Sequence, residues 1–208
     1  MAIKPLHLPL LREYAETHSD GSNAFIYSRF LVPSLEDFAG WAIFVDGDMV
    51  CREDIAKLWA LRDDAYAVQA VKHRYQTISA RKYIGTPLEA KNEDYPRKNW
   101  SSVILWNCAH PANRILTPEF VGSQPGSFLH RFSWLEDVDI GSLPMTWNWL
   151  VSEYEPHDCA LAHYTLGVPG IKHYSGCDLA DDWHRALKGA LNISGVDPLG
   201  MVTRADHA

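Results

Sequence analysis

Trp41-Ala-Ile-Phe-Val-Asp-Gly-Asp-Met-Val50 is the stretch that decides how this chain is read. Its first five residues are apolar with no polar alternation, the pattern of a fully buried strand and the mark of a parallel sheet. Gly40, just before it, ends whatever helix precedes. The strand then delivers two carboxylates, Asp46 and Asp48, at its C-terminal end, where open α/β sheets bind ligands. The two-residue period of an extended chain puts both on one side, and Gly47 between them lets a ligand approach the backbone closely. Carboxylates at about 4 Å repel by roughly 1–4 kcal/mol, depending on exposure, so a divalent cation is their natural guest. Oxygen donors suit Mg2+, Ca2+ or Mn2+. Asp-Gly-Asp also fits an ordinary polar turn, since both residue types favour turns. The apolar run before the pair and Met49-Val50 after it weigh for a binding site.

Working outward, Ile3 to Leu8 reads as a short strand and Thr17 to Ser22 as a turn. Ser22 or Asn23 is placed to cap a helix running from about Ala24 to Phe38, and Pro33 inside it predicts a kink or a break into two short helices. Downstream, Asp54 to Arg62 has the spacing of an amphipathic helix, and Tyr66 to Lys72 and Ser102 to Trp106 read as further strands. Between those strands, Arg74 to Lys98 is polar and rich in turn residues, which predicts a long functional loop. After Asn107 the chain reads as helix and loop, with a loose tail beyond Gly195. The expected fold is α/β, a mixed and mostly parallel sheet flanked by helices, in one domain over residues 1–208.

Composition narrows the function. With 208 residues, 47% hydrophobic and 22% charged, the chain has the mix of an ordinary globular protein and can bury a core without staples. A formal net charge of −7 argues against a nucleic-acid partner, which calls for a basic face. Cys51, Cys108, Cys159 and Cys177 form no CxxC pair, which excludes a zinc ribbon and favours reduced thiols. The opening MAIKPLHLPLL is a poor signal peptide, and no run of about 18 apolar residues offers a membrane span, so the expectation is a cytoplasmic protein. The eight Trp and nine Tyr suit sugar stacking, but aromatic rings fill cores as readily.

Two enzyme classes place aspartates at such a strand end. Haloacid-dehalogenase-like phosphatases use D-x-D-x-[T/V], which Phe44-Val-Asp-Gly-Asp-Met-Val50 satisfies locally, with the first aspartate as nucleophile. Nucleotide-sugar transferases use D-x-D to hold a metal on the donor diphosphate. The surroundings favour the second. Tyr27-Ser-Arg-Phe-Leu-Val-Pro33 precedes the strand, and three blocks follow in order. These are Tyr95-Pro-Arg-Lys-Asn-Trp-Ser-Ser-Val-Ile-Leu-Trp-Asn107, Ile140-Gly-Ser-Leu-Pro-Met-Thr-Trp-Asn148 and His163-Tyr-Thr-Leu-Gly-Val-Pro169. Together they resemble glycosyltransferase family 8, in which an R-[FY]-x-x-P helix precedes the D-x-D strand and a His-Tyr-x-x-Gly segment comes late. The resemblance covers roughly Ser22 to Trp183.

That resemblance implies a GT-A-like nucleotide-diphospho-sugar transferase fold and transfer of a sugar from a UDP-sugar to an acceptor, with retention of anomeric configuration. It implies Mn2+ (or Mg2+) held by Asp46, Asp48 and His163, an assignment that agrees with chemistry, because an imidazole beside carboxylates shifts preference toward Mn2+. It places Arg29 on the donor sugar or phosphate, Gly47, Gly167 and Lys172 around the diphosphate, and Asn99 and Ser101 beside the family's N-[SA]-G-V segment. Trp147 and Asn148 are expected to border the acceptor, and one of Glu136, Asp137 and Asp139 to supply the group on the sugar's reactive face. Relative to the family, about one N-terminal βα unit is expected to be missing. That motivates a rival reading: a catalytically silent relative that binds carbohydrate or serves as an interaction module.

Overall fold

The computed structural model of the chain describes residues 2–6, 11, 13–18 and 26–194. Along it run α1 (Val32–Leu35), β1 (Trp41–Val45), β2 (Met49–Cys51), α2 (Ala56–Trp59), β3 (Val68–Ala70), β4 (Arg81–Lys82), β5 (Ala90–Lys91) and β6 (Val103–Asn107). Then follow α3 (Pro118–Ser123), α4 (Gly126–His130), β7 (Ile140–Ser142), β8 (Trp149–Leu150), β9 (Leu161–His163) and α5 (Ala180–Ser194).

The main sheet is ordered β1-β6-β3-β7. β6 lies antiparallel to both neighbours, with Val45 opposite Val103 and Ala70 opposite Ile104, whereas β3 and β7 are parallel, with Val68 beside Ile140. The sheet is therefore mixed as expected, but it is not mostly parallel. The misreading has a clear cause. An unbroken apolar run reports cover on both faces and carries no information about strand direction. In this sheet β6 and β3 are buried throughout, while β1 sits at the sheet edge with Trp41 to Phe44 only half-buried and Val45 exposed.

Alternation along β6 divides the core. Ile104 and Trp106 point into one cluster with Phe30, Leu31, Leu129 and Phe132, on the side of α1, α3 and α4. Val103 and Leu105 point into the other with Leu58 of α2, Leu143 and Trp147. Each such fully buried side chain stabilises the fold by roughly 1.5–3 kcal/mol. A small second sheet, ordered β2-β9-β8, pairs Met49 antiparallel with His163 and Leu150 parallel with His163. Its other face packs through Val50, Ala162 and Trp149 toward Trp183 of α5. The stretch Asp46-Gly47-Asp48 is where the chain leaves the first sheet and enters the second.

Elsewhere the expected elements are shortened. The helix over 24–38 is broken into a 3-10 turn, Ser28–Leu31, and α1, with Pro33 in the first turn of α1 where its missing N–H costs nothing. Ser22 and Asn23, the expected caps, lie outside the described residues, as does the tail beyond 195. The helix over 54–62 reduces to α2, entered through Asp54 Oδ1, which accepts from Ala56 N at 2.9 Å. Residues 3–6 form no strand, and 7–8 are outside the described residues. The 74–98 loop folds back on itself through the β4–β5 hairpin, Arg81 opposite Lys91.

Candidate active site

Asp46 and Asp48 are held by different sheets. Asp46 N donates to Ser102 O at 3.0 Å, a last rung on the first sheet, and Asp48 O accepts from Tyr164 N at 3.0 Å, the first rung on the second. His163 ends β9 directly opposite Met49, so the strand pairing itself brings its ring to the acidic turn. One ligand atom from each of Asp46, Asp48 and His163 lies within 4.8 Å of the others, and His163 Nε2 is 3.4 Å from Asp48 Oδ1. Bonds of roughly 2.1–2.5 Å to one shared cation would put ligand atoms about 3–5 Å apart, so the trio fits a divalent ion.

Charge at the site is organised before any ligand arrives. Burial pushes the Asp48 carboxyl up. The charge of His163, a hydrogen bond to it and the more remote Arg29 outweigh that and hold it below its ordinary value, so it stays ionised. Asp46 is gripped by Arg29 in a two-pronged ion pair, Nη2 to Oδ1 at 2.7 Å and Nη1 to Oδ2 at 3.0 Å. Arg29 also donates from Nε to Ile26 O and from Nη1 to Ser101 O, both at 2.8 Å, and its guanidinium lies 4.8 Å above the Phe44 ring. It is buried at 7% exposure. The resemblance placed Arg29 on the donor; in the structure its fork holds Asp46.

The other expected residues separate into near and far. A Cβ on Gly47 would meet nothing within 4 Å, so the backbone between the carboxylates is open. Gly167, at φ +151°, is packed: a Cβ there would come within 2.3 Å of Tyr174 Cε2. Lys172 is exposed on the 3-10 turn Lys172–Tyr174, and among the described residues no ion pair ties it to the acidic trio. Asn99 has a left-handed backbone, φ 61°; its Nδ2 donates to Tyr75 Oη at 2.7 Å and its carbonyl accepts from Asn148 Nδ2 at 3.0 Å. Ser101 Oγ meets His130 Nδ1 at 2.7 Å. Trp147 is core, and Asn148 is fully buried with Oδ1 2.9 Å from His163 Nδ1. Glu136 and Asp139 are paired in a capping box around a 3-10 turn, while Asp137 on that turn is exposed and paired with Arg97.

Two residues of the site escaped sequence reading. Burial pushes the Lys82 ammonium below its ordinary value while Asp48 and Asp46 pull it up, and the same two carboxylates, after burial, raise the Tyr83 hydroxyl. Tyr83 N donates to Leu166 O at 2.7 Å and Ile84 N to Tyr174 Oη at 3.1 Å, which straps the hairpin onto the segment after His163. In the sequence Arg81-Lys82-Tyr83 is one charged patch of a polar loop, and only the fold-back brings it to the site.

Residues 10–102 match the family model described as glycosyl transferase family 8. Protein CDI of Arabidopsis thaliana is 47% identical over 168 residues, 78% of this chain and 63% of that protein. The chain thus spans less than two thirds of the length of the curated relative it matches. Among solved structures, the apo form of the bifunctional glycosyltransferase WbbM has a TM-score of 0.51 at 17% identity, covering 77% of this chain and 34% of that one. The glycosyltransferase GlyE of Streptococcus pneumoniae TIGR4 has a TM-score of 0.47 at 14% identity, covering 77% and 42%. The likeness to WbbM is one of fold, and it agrees with the GT-A-like arrangement of sheet and flanking helices.

Proposed function

We propose that this chain, whose residues 10–102 match the glycosyl transferase family 8 model, transfers a sugar from a UDP-sugar to an acceptor, with retention and with a divalent metal on the donor diphosphate. The observation that carries the reading is the convergence of Asp46, Asp48 and His163 within 4.8 Å at the junction of the two sheets. Two carboxylates and an imidazole suit Mn2+ better than Mg2+. A metal bound there supplies positive charge against the charge that grows on the departing diphosphate.

The chain's own residues do the positioning. Arg29 keeps Asp46 in one rotamer, so the carboxylate needs no reorganisation to bind. Asp48 is kept ionised. Gly47 leaves room for the ligand against the backbone, and Lys82 on the strapped hairpin faces the same carboxylates with a half-buried positive charge. For the sugar's reactive face the proposal keeps Asp137, whose exposed carboxylate is held by Arg97. A phosphatase reading fits less well, because both oxygens of Asp46, the required nucleophile, are engaged by Arg29. Among the described residues no helix is long and apolar enough to cross a membrane.

Calorimetry with UDP tests the reading. Affinity is expected to be higher with Mn2+ than with EDTA, and Asp48→Asn is expected to abolish the difference. Equal affinity in both conditions would sink the metal site. Turnover of p-nitrophenyl phosphate that disappears in Asp46→Asn would replace the transferase by a phosphatase.

A further inference from the structure

We infer that Asn148 decides which nitrogen of the neutral His163 ring carries the proton, and that Asn148, held by the half-buried pair Asn99 and Tyr75, aims a bare Nε2 at Asp46 and Asp48. The inference deepens the metal reading and rests on it only for what Nε2 binds; the state of the ring stands on geometry alone.

Asn148 closes the 3-10 turn Met145–Asn148 and leads into β8, whose Leu150 lies beside His163 in the small sheet. It is completely buried and His163 is 3% exposed, so water does not compete for their polar atoms. The Asn148 amide has one orientation available. Its Nδ2 donates to Asn99 O at 3.0 Å, and a carbonyl can only accept. Turning the amide over would set oxygen against oxygen and leave a buried donor unmet, at about 1–3 kcal/mol. Oδ1 is therefore the atom 2.9 Å from His163 Nδ1, and because Oδ1 has no hydrogen, Nδ1 must be the donor. In the neutral ring, the form that takes up a metal, this leaves Nε2 with its lone pair 3.4 Å from Asp48 Oδ1; in the charged ring the same nitrogen carries the proton that Asp48 accepts.

The carbonyl that anchors Asn148 is itself held in place. Asn99 sits in the left-handed region at φ 61°, where asparagine is among the few tolerated side chains, and its Nδ2 is tied to Tyr75 Oη at 2.7 Å. A residue with another backbone preference would swing the carbonyl away. The resemblance placed Asn99 beside the family's N-[SA]-G-V segment and Asn148 at the border of the acceptor; the geometry makes both positioning residues acting through His163. Histidines that bind metal are held this way at the far nitrogen, and losing the holder typically lowers metal affinity 10–100-fold.

Two readouts on the full chain decide the matter. The first is the two-bond proton–nitrogen spectrum of the metal-free protein, labelled with nitrogen-15, at alkaline pH; His163 is expected to show a protonated Nδ1 and a bare Nε2. The second is Mn2+ affinity from the paramagnetic resonance signal of the free ion. Asn148→Leu is expected to lose the Nδ1–H pattern and bind Mn2+ 10–100-fold more weakly. Asn148→Asp keeps an acceptor against Nδ1 but sets its second oxygen against Asn99 O; it is expected to restore the ring pattern and to bind Mn2+ more tightly than Asn148→Leu, though below the wild type. A proton on Nε2 in the wild type would overturn the inference, as would Asn148→Leu with wild-type spectrum and affinity. If Asn148→Leu fails to fold, the wild-type and Asn148→Asp spectra still decide it. If His163→Ala binds Mn2+ as well as the wild type, the metal reading falls, and the ring pattern alone judges Asn148.

Discussion

Replacing Arg29 by methionine is expected to cost about 3 kcal/mol, near the lower end of the ~3–5 kcal/mol typical when one partner of a buried ion pair is removed. The side chains of Arg29 and Asp46 are only 9% and 22% exposed, so most of the pair is out of water, while the exposed part of Asp46 lets solvent recover some of the loss. Methionine keeps much of the packing over Phe44, so the change isolates the charge. It also leaves Ser101 O and Ile26 O without their donor. Asp46→Asn is expected to destabilise by a comparable amount, because it strands the guanidinium instead. The double variant should then lose distinctly less than the sum of the singles, with a coupling of about 2 kcal/mol or more. Urea unfolding of the four metal-free proteins measures this directly. Saturating Mn2+ should restore part of the Arg29→Met loss, about 2.7 kcal/mol at a hundred times the dissociation constant. Single variants that each cost under about 1 kcal/mol, or losses that simply add, would refute the claim that Arg29 exists to hold Asp46.

His73 is buried, with Nδ1 2.6 Å from Tyr154 Oη, and burial, with the charge of His163 after it, pushes its pKa down to about 3 from 6.5. The unfolded chain takes up this proton below about pH 6.5 and the folded one does not until about 3, so stability present above 6.5 is lost as pH falls, at up to about 1.4 kcal/mol per unit. His73→Phe should flatten that slope between pH 7 and 5 in urea titrations, and an unchanged slope would mean another group sets it. Gly167→Ala is expected to cost about 2–4 kcal/mol, from overpacking on Tyr174 plus the strain of φ +151°, and the loss should shrink in a Tyr174→Leu background. Equal losses in both backgrounds would show the ring is not what excludes a side chain. Lys82→Met should weaken UDP binding about tenfold without weakening Mn2+ binding, as for one charged phosphate contact, while Lys172→Met should leave UDP binding alone. The opposite pattern in calorimetry would return the diphosphate to Lys172.

Much of the site could be read along the chain. The apolar run ending in Asp46-Gly47-Asp48 marks a strand that presents acids at its end, and that strand forms over Trp41–Val45 as read. Pro33 marks the break in the first helix, and the His163 segment supplies the third member of the trio the fold brings together. These features depend on residue type and on spacing between near neighbours, and both are present in the sequence itself.

The partners were decided by the fold. Nothing near Arg29 in the sequence says that its fork closes on a residue 17 positions on and on a carbonyl 72 positions on. An apolar run does not say that β6 lies antiparallel between β1 and β3. Lys82 feels the charge of the carboxylates only because its hairpin is strapped to Leu166, and Asn148 faces His163 only because β8 and β9 pair. Sidedness is a local property of the chain. The choice of acceptor for a buried donor is set by strand register and crossovers between residues tens of positions apart, and the tertiary structure is where that choice is made.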